Sequence, residues 1–362
     1  MRKKQLFAVI EVSCLILILL GVVVLPSYAS QPNVIKLKAA TYFSQTQPLG
    51  QGFIKFFDKV TKKSNGQVEV QTFMGSSLLG PKDIYDGVVQ GTVDIGLTMP
   101  GYNTGKFPEM ELVEMPHGYV SSFVSSHVAN DYFNQFNPKE YSQTKMLYWF
   151  ASPPSVVICN KPVRTLADLK GLKIRGTARV GEIVSALGAV PQSTAAGEVY
   201  TSISKNVIDG IMWPISTLDE WKLADLKPKI LNSWQIGAVF AFYTVMNKNT
   251  WEKLPSEIQK IFKEAAEEMI TEHAALYDGS DLKGYEMGKG AAAELFNFSK
   301  QDTEKAIQLI KPVTDKWISG MVAKGFDGNE MKKRPQFLWD RSKYWSAKQK
   351  ELGIKAIPGR ID

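Results

Sequence analysis

Cysteine and histidine are scarce in this chain of 362 residues, with two of the first and three of the second. Two cysteines are too few for a disulfide scaffold, and Cys14 lies in a segment that reads as removable, which leaves Cys159 unable to form an internal disulfide. Cys159 reads as a small buried apolar residue. No Gly-x-Ser-x-Gly elbow, Walker loop or Rossmann glycine fingerprint occurs. His117, His127 and His273 are far apart, and no His/Cys/carboxylate cluster has metal-ligand spacing. His127 and His273 fall in helical patterns and read as surface or capping residues. No basic run is long enough to follow a nucleic-acid backbone, which argues against nucleic acid as a partner.

The remaining composition is that of a globular protein, at 44% hydrophobic and 22% charged, too apolar for intrinsic disorder. The net charge is +7, of which residues 1–29 carry +2 through Arg2, Lys3 and Lys4 against Glu11, leaving a mild +5. Those first residues read as a secretory signal: a basic start, an apolar stretch from Leu6 to Leu25, and Ser27-Tyr28-Ala29 as the cleavage site. The competing reading is a membrane anchor. Glu11 interrupts the stretch, and the 14 residues Val12–Leu25, at about 1.5 Å each, fall short of a bilayer's roughly 30 Å. Cys14 lies near the start of the apolar core, the wrong end for a lipoprotein cysteine.

Beyond the signal, strand patterns alternate with helical ones. Ile35–Ala39 and Val68–Phe73 alternate as strands, Leu49–Lys62 carries Phe53, Phe56, Phe57 and Val60 at helical spacing, Gly80-Pro81 opens a helix running to Gln90, and Val93–Met99 reads as a strand. Thr165-x-x-Asp168 is a capping box before a short helix ended by Gly171, followed by the strand Leu172–Arg175 and the helix Val180–Leu187. Glu198–Ser204 is helical and Val207–Ile211 a strand. Ser256-x-x-Gln259 caps a long helix with one apolar stripe. This alternation predicts an α/β fold with parallel strands. Gln90–Gly96 and Lys205–Ile211 echo each other, each running from a helix end through a Val and an Asp into a strand, by chance or because two similar lobes enclose a cleft.

Arg175 is the outstanding candidate residue. It ends an apolar strand ahead of Gly176-Thr177, and ligands of parallel α/β sheets bind at strand carboxyl ends. Its planar fork pairs two-to-two with a carboxylate. Pattern alone leaves open a solvated surface arginine.

Several segments resemble the solute-binding proteins of tripartite ATP-independent periplasmic (TRAP) transporters, the DctP-type family: Ala167–Arg175, Gly197-Glu198-Val199-Tyr200 with Val207-Ile208-Asp209-Gly210, Gly66–Val70, Leu79-Gly80, Gly91–Gly96, Val245–Lys248, Trp251 and Leu254-Pro255. The pieces run in order from about Ile35 to about Lys283. The resemblance implies a two-lobed periplasmic binding-protein fold, with crossing strands, a ligand cleft between the lobes and a long helix spanning both. Lobe I would be 30–153 with a return at about 241–280, and lobe II 154–240 with about 281–362 packed on it. It further implies a monomer that is no enzyme, that traps an organic acid, and that delivers it to membrane permease subunits driven by an ion gradient, with Arg175 as the carboxylate-binding arginine.

Departures from the family pattern suggest what kind of acid. Ser155 stands where sialic-acid-type members place a second Arg, Trp213 where they place an Asn, and Ala196 where an aromatic precedes the Glu-Val-Tyr motif. Met212 and Pro214 flank Trp213, where metal-holding members have a carboxylate, so no metal or other cofactor is expected. With Met99, Phe240, Tyr42 and Tyr102 added to Arg175 and Trp213, the predicted pocket is mostly apolar, and core packing would also explain each of the aromatics Trp213, Phe240, Tyr42 and Tyr102. The pocket suits one carboxylate, or a sulfonate, on an apolar or aromatic body. An exported α/β lyase or hydrolase, or a ligand-sensing receptor subunit, are the competing functions.

Overall fold

A computed structural model describes residues 34–290 and 293–361. The signal segment lies outside the described residues. Everything below concerns the compact unit that begins at Lys36.

The strands are β1 (Ile35–Thr41), β2 (Val68–Phe73), β3 (Ile95–Thr98), β4 (Thr144–Ala151), β5 (Val156–Cys159) and β6 (Lys173–Arg175). They continue as β7 (Val190–Gln192), β8 (Gly210–Trp213), β9 (Lys229–Leu231), β10 (Ala241–Asn247) and β11 (Glu294–Phe296). The helices are α1 (Pro48–Lys63), α2 (Ile84–Gln90), α3 (Ser122–Phe136), α4 (Ala178–Ala186) and α5 (Val199–Ser204). They continue as α6 (Thr217–Glu220), α7 (Lys248–Lys253), α8 (Ser256–Lys289), α9 (Lys300–Ala323) and α10 (Gly328–Glu351).

Two sheets form, in the orders β2-β1-β3-β10-β4 and β11-β9-β5-β8-β6-β7. In the first, β1 and β3 are parallel and β10 runs antiparallel to β3 and β4. All seven residues of β10 are buried, as a strand paired on both sides and covered on both faces requires. In the second, β6 is parallel to β7 and β8, while β5 runs antiparallel to β8 and β9.

Two backbone segments pass between the sheets side by side, 152–155 leading into β5 and 232–240 leading into β10. The Ser152 N–H donates to the Phe240 carbonyl at 2.9 Å, the Phe240 N–H to Ser152 Oγ at 2.9 Å, and the Ser155 N–H to the Ala238 carbonyl at 2.9 Å. Gly237 allows this approach: a Cβ there would lie 2.1 Å from the Ser155 carbonyl oxygen. Helix α8 is a third link. Its first half packs on α1, α3 and β4 beside the first sheet, and its second half on α6 and β11 beside the second. Asp278 of α8 caps α3 by accepting from the backbone N–H groups of Ser122 (2.7 Å) and Phe123 (2.9 Å). One turn on, Asp281 accepts from the Ser216 N–H at 3.2 Å and pairs with Arg360 at 3.0 Å. Gly284 lets α8 close on the second-sheet side, where a Cβ would meet the Ile215 carbonyl at 2.3 Å.

Several expectations are corrected. The helix expected from Gly80-Pro81 starts at Ile84 after Asp83. The strand expected at Val207–Ile211 lies at Gly210–Trp213, because Val207 sits exposed in the turn after α5. Ser256 is the first residue of α8 and makes no cap; Pro255 holds the cap position, and Gln259 Nε2 donates back to the Trp251 carbonyl at 2.8 Å. His273 is no surface residue: its ring is fully buried and stacks on Phe150 at 3.7 Å, and burial pushes its pKa down to about 3. The C-terminal region does not pack on the second sheet alone. Helix α9 covers α4, whereas α10 lies on α3, held there by the Arg334–Glu109 pair (2.8 Å) and by Ser121 Oγ donating to Gln349 at 2.6 Å.

Candidate functional site

The parallel strands of both sheets aim their carboxyl ends at one cavity. From the first sheet, Tyr42 and Phe43 follow β1, and Met99 and Tyr102 follow β3; from the second, Arg175 ends β6 and Trp213 ends β8. Phe240 enters from a crossing segment, Phe242 from β10 and Tyr277 from α8. About 50 Å³ of the cavity is open to the centre of a water-sized sphere, where a single water needs about 10–15 Å³.

Arg175 is 2% exposed. Its Nε donates to the Thr194 carbonyl at 3.1 Å, and its Nη1 has no hydrogen-bond partner among the described residues. The guanidinium carbon sits 4.4 Å from the centroid of the Trp213 ring, a cation–π arrangement. Burial lowers its pKa to about 10, with Tyr102 and Tyr42 acting in the opposite sense, so it stays charged at neutral pH. Those two tyrosines pack edge to face at 5.2 Å, and burial raises both their pKa values, so they are neutral hydroxyls. The aromatic lining continues through Phe43–Phe242 (5.6 Å) in the first lobe and Trp213–Trp221 (5.6 Å) in the second.

Of the residues singled out in the sequence, Arg175, Trp213, Phe240, Tyr42, Tyr102, Met99 and Ala196 surround this cavity. Ser155 does not line it; the residue is fully buried in the crossing segment, and its hydroxyl has no partner among the described residues. Missed were Phe43, Leu49, Pro214, Thr217, Glu220, Trp221, Phe242 and Tyr277. Phe242 lies in β10 two residues beyond Phe240, a spacing that in an extended chain returns side chains to the same side. Glu220 and Tyr277 had no local signal. Among the described residues no three His, Cys, Asp or Glu side chains are grouped as metal ligands, and no helix is long and apolar enough to cross a membrane.

The chain belongs to the family of bacterial extracellular solute-binding proteins, family 7 (DctP), whose model matches residues 39–320. A "monocarboxylate 2-oxoacid-binding periplasmic protein" of Nostoc sp. is 28% identical over 241 residues, 60% of this chain and 62% of that one, so the chain spans less than two thirds of that relative's length. A TRAP periplasmic solute-binding protein from Desulfovibrio salexigens superposes with a TM-score of 0.77 at 29% identity, covering 86% of this chain and 96% of that one. A marine-metagenome TRAP protein described as specific for aromatic acid ligands, solved with 3-hydroxybenzoate, gives 0.79 at 25% identity, covering 86% and 99%. The chain shares with these structures a two-lobed α/β fold.

Proposed function

We propose that this protein, exported and acting as a monomer, captures an organic acid between its two sheets and delivers it to the membrane permease of a TRAP transporter. The ligand we propose is a monocarboxylate on an apolar or aromatic body. One observation carries this reading: a buried, charged guanidinium with no acidic partner among the described residues, set in a cavity of aromatic rings. A buried charge without a counterion is costly, and a ligand carboxylate supplies the counterion. Arg175 is the residue we assign to it, with Trp213, Phe240, Tyr42, Tyr102 and Met99 enclosing the body and Ala196 leaving room. The names of the Nostoc and marine relatives support a monocarboxylate and an aromatic acid respectively. The solute-binding family and the missing nucleophile motifs speak against an enzyme.

Calorimetric titration tests the ligand class. An aromatic or branched aliphatic monocarboxylate is expected to bind at least tenfold tighter than succinate or malate, about 1.4 kcal/mol. Among the described residues no second cation lines the cavity to offset the desolvation of a second carboxylate. Trp213→Asn is expected to narrow the gap by removing stacking area and adding a donor. A wild-type preference for the dicarboxylate would overturn the assignment of ligand class.

A further inference from the structure

The cavity has a carboxyl group at one side as well as a guanidinium at the other. Glu220 ends α6, which follows β8 through Pro214-Ile215-Ser216, and it lines the cavity with Thr217 and Trp221. It is held in place from two directions. Its backbone N–H donates to the Ser216 carbonyl at 3.1 Å, and its Oε1 accepts from Ser280 Oγ of α8 at 2.6 Å. Among the described residues no Lys, Arg or His pairs with it; the neighbouring Lys283 pairs with Asp219 instead, at 2.7 Å. A carboxylate has about four lone-pair sites, and the Ser280 hydroxyl engages one, so acceptor capacity remains. Burial pushes its pKa upward, as do the nearby Asp281 and Asp219, while the Ser280 and Ser216 hydroxyls pull it back.

Arg175 reaches the cavity from the end of β6 and Glu220 from the end of α6, and Tyr42, Tyr102 and Tyr277 line the same space. Between the two ends lie rings: Trp213 is stacked under Arg175 and packs on Trp221, the residue after Glu220. A cation at one end, aromatic faces in the middle and an uncompensated acceptor at the other define a ligand by complementarity.

We propose that Glu220 is a second specificity residue of this cavity, accepting a hydrogen bond from a hydroxyl on the far side of an aromatic ligand from its carboxylate. The inference rests on the monocarboxylate reading and narrows it to hydroxylated aromatic monocarboxylates. An acceptor in this position rewards a phenolic O–H, gives nothing to a bare ring, and repels a second carboxylate.

The test is calorimetry with benzoate, 3- and 4-hydroxybenzoate and the matching methoxybenzoates, on wild type, Glu220→Leu and Glu220→Gln, with a thermal melt to confirm folding. In the wild type, one hydroxybenzoate is expected to bind at least tenfold tighter than benzoate, and its methoxy counterpart no tighter than benzoate, because the ether oxygen cannot donate. Glu220→Leu is expected to bring hydroxybenzoate and benzoate within twofold, and Glu220→Gln to keep part of the preference, since its amide oxygen still accepts. If benzoates bind but the hydroxyl adds nothing, or its gain survives in Glu220→Leu, the role of Glu220 is overturned and the monocarboxylate reading stands. If no benzoate binds the folded wild type, the aromatic reading fails and takes this inference with it. Should Glu220→Leu not fold, the hydroxy–methoxy comparison in the wild type and the Gln variant decide alone.

Discussion

Three arginines are buried among the described residues, Arg175, Arg334 and Arg360. Arg334 pairs with Glu109 at 2.8 Å and Arg360 with Asp281 at 3.0 Å, each between side chains that are almost fully enclosed. Arg175 alone of the three has no acidic partner, only a carbonyl and an indole face. All three leave guanidinium nitrogens without a hydrogen-bond partner among the described residues, so the missing counterion is what sets Arg175 apart and suits it to the proposed ligand carboxylate. Arg175→Ala is therefore expected to fold with an unchanged or raised melting temperature, since a desolvated charge is removed, and to lose roughly 2–5 kcal/mol of ligand affinity. Arg175→Lys keeps the charge but not the two-to-two geometry and should recover only part. Calorimetry beside a thermal melt checks both; affinity within threefold of wild type in the Ala variant would remove Arg175 from the site. This residue was legible in the sequence because it ends a short amphipathic strand before Gly-Thr. Glu220 and Tyr277 were not, because one sits at a helix end and the other within the long buried stripe of α8, where nothing local separates a cavity-lining position from one packed in the core.

At the level of elements, the echo between Gln90–Gly96 and Lys205–Ile211 has a shared structural role. Asp94 exchanges hydrogen bonds with Lys38 at the first sheet, its N–H donating to the Lys38 carbonyl and its carboxylate accepting from the Lys38 N–H, both at 2.8 Å. Asp209 does the same with Lys173 at the second, at 2.8 and 2.9 Å. In each case an aspartate ahead of a strand fixes its start against the parallel neighbour, and these are the strand pairs that carry Tyr42, Met99, Arg175 and Trp213 to the cavity. The element types were thus readable from alternation and capping, while boundaries moved wherever a loop residue such as Val207 mimicked the strand pattern. Crossing strands were expected from the family resemblance, but their residues could not be read from the pattern, because Gly237 has an ordinary φ of −74° and its need for hydrogen in place of Cβ comes from Ser155, far away in the chain. Gly237→Ala should therefore push the crossings apart and destabilise the protein by about 1–3 kcal/mol, the usual range for overpacking a tight contact. A chemical-denaturation series that finds no loss of stability would show that the crossings can separate without cost.

For the molecule as a whole, the placement of the proposed ligand contacts matters more than their number. Arg175 and Trp213 belong to the second sheet, Tyr42, Met99 and Tyr102 to the first, so any ligand touching both sets joins the two lobes. Apart from the ligand, the lobes are held by two crossing segments, by α8, and by contacts such as Arg179 of α4 with Glu111 of the first lobe at 2.8 Å. Arg179 is 18% exposed in its side chain, so this pair is partly screened and a modest tie. Links of this kind allow rotation of one sheet against the other about the crossings without breaking either core, which is the hinge class of domain motion. A ligand that bridges the sheets favours the closed arrangement by its differential affinity and by nothing else. Small-angle scattering should therefore show a smaller radius of gyration with saturating ligand than without. Arg175→Ala, which keeps the fold but loses the second-lobe anchor, should show no compaction at the same ligand concentration. Equal radii for the wild type in both states, with binding confirmed by calorimetry, would mean that the ligand enters and leaves without lobe motion, and that the proposed delivery to a permease would need some signal of occupancy other than closure.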